Sequence, residues 1–191
     1  LVSVIVPCHN RVALLRDCLD SISTQTYSPI ELIVVDDCSQ EDITGAVAST
    51  KWSSAFNISV IRSDENIGPG AAREIGRRSA QGEYICYLDS DDWWYPQKIE
   101  EQLIALRNNR NIGMCYCTAG LFSHLPITGA ERIRSLSDRS YSSFLPLLLV
   151  TGSRPWGTGS CMWRSSVADA IGPWLSSWTC EDMDYDCRAG C

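Results

Sequence analysis

The chain has 191 residues, 45% of them hydrophobic and 20% charged, with a formal net charge of −7. That is enough for one domain with a sizeable core. The acidic balance argues against nucleic acid as the main partner, but it does not exclude an anionic substrate, because a bound cation can reverse the local field.

Leu1 to Val6 is a continuous apolar run, the pattern of a buried parallel strand, and Pro7 is expected to stop it. Asn10 is placed to N-cap the next element. Val12, Leu15, Cys18, Leu19 and Ile22 then recur at helical spacing, which predicts an amphipathic helix from Arg11 to about Thr24. After a turn at Tyr27-Ser28-Pro29, Ile30 to Val35 reads as a second buried strand that runs into Asp36 and Asp37. Asp42 to Ser49 reads as a short helix and Ile58 to Ile61 as a third strand. Asp64 to Pro69 leads into Gly70-Ala71-Ala72-Arg73, a loop whose glycines let backbone approach a ligand. A helix over Ala71–Ala80 follows, with Gly82 as its expected C-cap. Tyr84 to Leu88 is the central strand, Pro96 opens a helix to about Arg107, and Ile112 to Thr118 is another strand. Beyond Ala119 the pattern loosens. Residues 120–140 read as an irregular loop, Ser142–Val150 and Ser165–Ile171 as helices, and Gly157–Trp163 as strand-like. The strand–helix alternation over residues 1–118 predicts an α/β sandwich with a mainly parallel sheet.

No run approaches the roughly 18 apolar residues of a membrane span. The longest, Phe144 to Val150, is interrupted by Pro146. No signal peptide is visible. A start at Leu1 and a stop at Cys191 suggest a domain excised from a longer protein. Ten cysteines in 191 residues, about 5%, fall short of a disulfide scaffold. Reduced thiols in a cytoplasmic protein are the expectation. Cys180, Cys187 and Cys191 could pair or form a thiol cluster, but a structural zinc there lacks a fourth ligand.

The chemistry concentrates where the central strand ends, at Asp89-Ser90-Asp91-Asp92-Trp93-Trp94. Charge at the end of a buried strand is costly unless neutralised. Asp89 and Asp91 are two apart, so on an extended segment they face the same way. Carboxylates suit hard cations, and Mg²⁺ commonly takes one or two of them and completes its shell with water and phosphate oxygens. A metal–diphosphate site with Mg²⁺ or Mn²⁺ is therefore expected. A solvated turn is the plain alternative. An EF-hand loop would need glycine where Trp94 stands, and an aspartyl-nucleophile phosphatase would need further support. Two more acidic sites, Asp36/Asp37 and Glu181/Asp182/Asp184, lie beside strand ends or turns. In an open α/β sheet the strand carboxyl ends share one ligand crevice, which Asp37, Asp89 and Asp91 should line and Arg73 should reach.

Five blocks carry a family resemblance: VSVIVPCHN, IELIVVDDCS, ENIGPGAAR, GEYICYLDSDDWWYPQK and CEDMDYDCR. In this order, and over essentially the whole chain, they resemble the family 2 glycosyltransferases of the GT-A fold, a Rossmann-like three-layer α/β/α sandwich. The VVDD and Glu-Asp blocks leave the phosphatase unsupported. The Gly-rich N-terminal loop of sugar nucleotidyltransferases is absent after Val6. The resemblance implies a single catalytic domain over 1–191, with residues 1–118 holding the nucleotide sugar and 119–191 forming the acceptor side. Pro7 would line the nucleotide pocket, Asp37 would accept from the base, and Arg73 would contact the nucleotide. Asp89 and Asp91 match the Asp-x-Asp, with Asp91 the direct metal ligand and Asp89 nearer ribose and metal. Asp182 matches the catalytic base and Arg188 its trailing arginine, unless Arg188 only pairs with Asp184, four residues earlier. Asp92, Trp93, Trp156 and Glu181 are candidate sugar or acceptor contacts, although core packing accounts equally for the tryptophans. His9 reads as a polar loop residue. The implied activity is inverting transfer from a UDP- or dTDP-sugar to a hydroxyl of a glycan, lipid-linked or other acceptor. Any contact with the inner face of a membrane would come through parts outside this chain. The Gln-x-x-Arg-Trp block of processive synthases does not occur. The rival of a different class is a non-catalytic nucleotide-sugar-binding or scaffolding domain.

Overall fold

The computed structural model describes residues 1–120, 156–176 and 179–190. Among the described residues, six strands form one sheet in the order β3-β2-β1-β4-β6-β5. They are β1 (Val2–Cys8), β2 (Ile30–Asp36), β3 (Phe56–Arg62), β4 (Tyr84–Tyr87), β5 (Met114–Tyr116) and β6 (Cys161–Arg164). The first four run parallel, and β6 is antiparallel to both β4 and β5. Helices cover both faces. Val2, Val4 and Val6 pack with α1 (Val12–Ser23), α2 (Ile43–Ser49) and α4 (Lys98–Asn108). Ile5 and Tyr87 point the other way, toward α3 (Gly68–Ser79), α5 (Ser165–Ile171) and α6 (Glu181–Ala189). A strand buried on both faces reads as an unbroken apolar run, which is why β1 and β2 were legible. The result is the three-layer α/β sandwich that the alternation predicted.

Several boundaries differ, each for a physical reason. Pro7 does not end β1, which continues to Cys8 opposite Asp36. Leu88 donates its N–H to the Ile5 carbonyl at 3.0 Å. Residue 7, two further on, aims its nitrogen the same way, and the β1–β4 ladder stops at Ile5 opposite Tyr87, so the proline without an N–H stands at the end of that ladder and not within it. Asn10 does not cap α1. Its side chain instead accepts from Gln40 N–H at 2.8 Å, and the Val12 N–H is met by a Glu41 carboxylate from the next loop. α3 starts at Gly68, earlier than expected, with φ of 83° there, a value that glycine tolerates. Its C-cap is Ala80, not Gly82. Gly82 is instead a close approach, where an added Cβ would stand 2.6 Å from the Ser3 nitrogen. The 112–118 strand is only three residues long, and β3 is longer than expected. The helix expected over Ser165–Ile171 is present as α5, and Gly157–Trp163 resolves into a short 3₁₀ turn leading into β6. The loop and helix expected within residues 121–155 lie outside the described residues, as does Cys191.

Candidate active site

Among the described residues, four that are not glycine adopt positive φ: Asn10 (56°), Arg11 (70°), Cys38 (56°) and Cys180 (61°). Three follow the carboxyl ends of β1 and β2, and the fourth caps α6. Such backbone costs free energy and clusters at functional sites. It marks the same crevice that the acids do.

Asp36 and Asp37 divide their labour at the end of β2. Asp36 is buried, accepts from Ser39 N–H and pairs with Arg62, so it ties the β2 turn to β3. The Asp37 carboxylate accepts from Ile67 N–H at 2.7 Å, Gly68 N–H at 2.9 Å and the Ser63 hydroxyl at 3.2 Å. It thus sits as an anion on the N-terminus of α3, where exposed N–H groups and the helix dipole favour it. His9 Nδ1 lies 2.5 Å from the Asp37 carbonyl. A carbonyl only accepts, so Nδ1 carries the proton and Nε2 accepts from the side-chain amides of Asn10 (3.0 Å) and Asn66 (3.2 Å). His9 therefore joins three loops at the rim. Pro7 is buried at the end of β1 beside them.

At the end of β4, Asp91 Oδ2 is 2.8 Å from the Arg11 guanidinium, and both side chains are about half exposed, at 45% and 57%. Asp92 is open to solvent on one side while its carboxylate leans over Gly159, where an added Cβ would stand 3.4 Å from Oδ2. Burial of that carboxyl group, with the Asp89 and Asp91 charges adding to it, pushes its pKa up to about 6. Trp93 stacks edge-on against Tyr95 at 4.9 Å. Trp94 is buried and pins the loop, donating its indole N–H to the Gly159 carbonyl at 2.7 Å while its ring lies 3.7 Å from Lys98 Nζ.

Asp89 faces inward. Its Oδ1 is 2.6 Å from Arg73, whose other terminal nitrogen is 2.9 Å from Glu181 Oε1. Arg73 is only 4% exposed, and its guanidinium carbon lies 4.9 Å over the Trp174 ring. Burial alone would lower its pKa, but the charges and hydrogen bonds of Asp89 and Glu181 outweigh that and hold it above the usual arginine range. Asp182, next along α6, is half-buried and accepts from Met183 N–H at 2.7 Å, and the N-cap of α6 is Cys180. The two acidic blocks thus lie within one guanidinium's reach of each other. Trp156 is buried, its indole N–H donated to Asp186 at 3.1 Å, so packing accounts for it. Arg188 pairs with Asp184 at 2.7 Å and donates to the Ile171 carbonyl, tying α6 to α5. Cys180 is an exposed free thiol, and among the described residues no three His, Cys, Asp or Glu side chains form a ready-made metal cage.

The glycosyl transferase family 2 profile matches residues 3–162. The chain belongs to glycosyl transferase family 2. A Haemophilus influenzae protein described as an uncharacterized glycosyltransferase is 37% identical over 116 residues, 61% of this chain and 38% of that protein. The putative teichuronic acid biosynthesis glycosyltransferase TuaG of Bacillus subtilis is 39% identical over 103 residues, 54% of this chain and 40% of TuaG. The match therefore spans less than half the length of either relative. Among solved structures, S. aureus TarS superposes with a TM-score of 0.79 at 20% identity, covering 99% of this chain and 33% of TarS. TarS 1–349 with UDP-GlcNAc gives 0.75 at 20% identity, covering 99% of this chain and 53% of that one. The mannosyltransferase PcManGT of Pyrobaculum calidifontis, with GDP-Man and Mn²⁺, gives 0.66 at 18%, covering 92% of this chain and 48% of that one. These likenesses establish the GT-A fold.

As a family 2 chain, the protein carries a donor set that fits a hard divalent cation only in part. Asp91 offers a half-exposed carboxylate held by one exchangeable arginine, and Asp89 has one oxygen committed to Arg73. This suits an ion that takes one or two carboxylates and draws its other ligands from phosphate and water. Burial first, and then the neighbouring Asp89 and Asp91 charges, raise the Asp92 pKa, so negative charge around it is left partly uncompensated. Sequence reasoning missed Arg11, whose signal was a lone basic residue at the turn after β1. Nothing local marks the contact between Trp174 and Arg73. No described helix is long and apolar enough to cross a membrane.

Proposed function

We propose that this chain is the catalytic domain of an inverting glycosyltransferase that moves a sugar from a UDP- or dTDP-sugar to an acceptor hydroxyl with the help of Mg²⁺ or Mn²⁺. The observation that carries the reading is the convergence of Asp89, at the end of β4, and Glu181, at the start of the helix that bears Asp182, on one buried arginine. Asp37 and the 66–68 backbone form the nucleoside end of the crevice in this reading, beside Pro7 and His9. Asp91, with the free side of Asp89, would hold the cation, which would offset charge developing on the departing diphosphate. Asp182 takes the proton from the acceptor hydroxyl as it attacks, a contribution of roughly 10²–10⁴-fold. The acceptor is a glycan or other hydroxyl compound. The TuaG likeness supports cell-envelope polysaccharide, and the reading keeps residues 119–191 as the acceptor half of a cytoplasmic domain that is part of a longer protein.

The test has two steps. A thermal-shift screen of UDP-, dTDP- and GDP-sugars with and without Mn²⁺ comes first. A ligand at 100 times its Kd stabilises by about 2.7 kcal/mol, which raises Tm by roughly 5–10 °C at this size. Asp182→Asn is then assayed with the selected donor. Transfer should fall roughly 10²-fold or more while UDP–Mn²⁺ affinity stays within about twofold. A screen with no metal-dependent hit would remove the donor reading. Full turnover by the variant would move the base to Glu181 or Asp184, and an earlier melt with unchanged specific activity would make Asp182 a helix-end residue only.

A further inference from the structure

Arg73 and Glu181 are 108 residues apart in sequence, yet their side chains are both nearly closed to solvent, at 5% and 11%. Neither reaches an open ligand site without leaving its partner. Glu181 lies directly on α3: an added Cβ at Gly70 would stand 3.1 Å from Glu181 Cγ and 2.0 Å from the Leu175 carbonyl oxygen. The segment that carries Asp182 is therefore seated on α3 by a glycine and locked by an arginine. The other branch of that arginine holds Asp89 at 2.6 Å. The guanidinium is a planar fork, so its two terminal nitrogens fix the carboxylates relative to each other, as an ammonium cannot. Its Nε is buried and has no hydrogen-bond partner among the described residues, so the fork is held from its two ends and by the Trp174 face.

We propose that Arg73 is a positioning residue that couples Asp89 on the donor side to Glu181 at the root of the helix bearing Asp182. One positive charge is shared by two carboxylates, so what one loses the other gains. Neutralising Glu181 gives Arg73 wholly to Asp89 and makes Asp89 less available to a nucleotide–metal complex. Glu181 thus acts on the donor without touching it, and the nucleotide, by reciprocity, acts on the Asp182 turn.

The experiment is a double-mutant cycle with two readouts on the intact chain. In urea unfolding, Asp89→Asn and Glu181→Gln are expected to be non-additive when Arg73 is present, because both touch one guanidinium, and additive in an Arg73→Met background. In calorimetry with UDP and Mn²⁺, Glu181→Gln is expected to weaken binding about fivefold or more with Arg73 present, and to leave it within about twofold in Arg73→Met. If Arg73→Met does not fold, Arg73→Lys takes its place and should lose most of the coupling, since a point charge serves one carboxylate at a time. Additive unfolding with Arg73 present, or equal effects of Glu181→Gln on binding in both backgrounds, would overturn the proposal. The binding arm rests on the donor reading and the unfolding arm does not. Wild-type protein that fails to bind UDP–Mn²⁺ therefore refutes the donor reading alone, and the unfolding cycle then decides the coupling.

Discussion

Replacing Asp37 should loosen the protein before it touches any ligand. Its carboxylate accepts from Ile67 N–H, Gly68 N–H and the Ser63 hydroxyl. In Asp37→Ala the two backbone donors lose their acceptor at the first turn of α3. Hydrogen bonds to charged groups contribute about 1.5–3 kcal/mol each. Gly68 is buried, but Ile67 is only partly so, and Ser63 can turn to water. Counting one bond in full and the others in part gives a loss of about 2–4 kcal/mol, or roughly 5–15 °C in Tm for a chain of this size. Asp37→Asn keeps one acceptor oxygen but turns an amide N–H₂ toward the other donor, and should fall between. Urea unfolding gives the free energy, and hydrogen exchange at the Ile67 and Gly68 amides locates it. Exchange there should accelerate in both variants, more in alanine. An Asp37→Ala protein that melts within 2 °C or so of wild type, with both amides still protected, would refute the anchoring role. Any loss of uridine affinity would then report direct contact with the base.

Three further outcomes are expected. Arg11→Ala removes an exposed partner of Asp91 whose pairing is worth about 0.2–1 kcal/mol, so Mn²⁺ titrated without nucleotide should bind roughly 1.4- to 5-fold tighter. Weaker binding would mean that Arg11 organises the site instead of competing for it. Burial works to raise the Glu74 pKa, but hydrogen bonds from Arg77, Arg78 and Trp174 N–H outweigh it and hold the carboxyl below the usual range. Its folded value lies below its unfolded one, so its stabilisation is present above the ordinary carboxylate range and is lost as the pH falls through the folded value. Glu74→Gln should therefore flatten the acid limb of the stability–pH curve, and an unchanged limb would sink the assignment. Trp94→Phe removes the indole N–H from the Gly159 carbonyl and should cost about 1 kcal/mol in urea.

What the sequence showed and what it hid follow from range. Strands β1 and β2 and helix α1 carry their own periodicity, so they were readable from about ten residues each. Pro7 misled because a proline's cost depends on which side its nitrogen faces, and that depends on where β4 stops. Asn10 misled because the Val12 N–H is met by Glu41, 29 residues on. The insertion of β6 between β4 and β5 is a decision of the whole sheet, with no local mark. In the site, residue types were legible because acids after buried strands are costly without a reason. Pairings were not. Arg11–Asp91 spans 80 residues and Arg73–Glu181 spans 108; Arg73 is marked by its place after the glycine loop, but nothing local shows which acids either arginine meets.

The charge balance of the crevice carries the argument for a cation further than the spacing of two aspartates can. Asp37, Asp89, Asp91, Asp92, Glu181 and Asp182 line or underlie it, and among the described residues the cations paired with these acids are Arg11 and Arg73. Arg73 is closed to solvent and already shared by two carboxylates. Arg11 is exposed and meets Asp91 alone. A diphosphate arriving at that surface would face like charge, which disfavours approach by several kcal/mol when desolvated. Two things reverse the field without rebuilding the site. In the proposed reading, a divalent cation on Asp91 would bring its own double charge, and it would free the Arg11 guanidinium, whose planar donors suit phosphate oxygens. The arginine that pairs with Asp91 would then be available to the anion that comes with the metal. An exposed partner at Asp91 and a buried one at Asp89 set the two carboxylates apart: Asp91 is the more open to a ligand, and Asp89 has one oxygen held in the frame by Arg73 and the other left over.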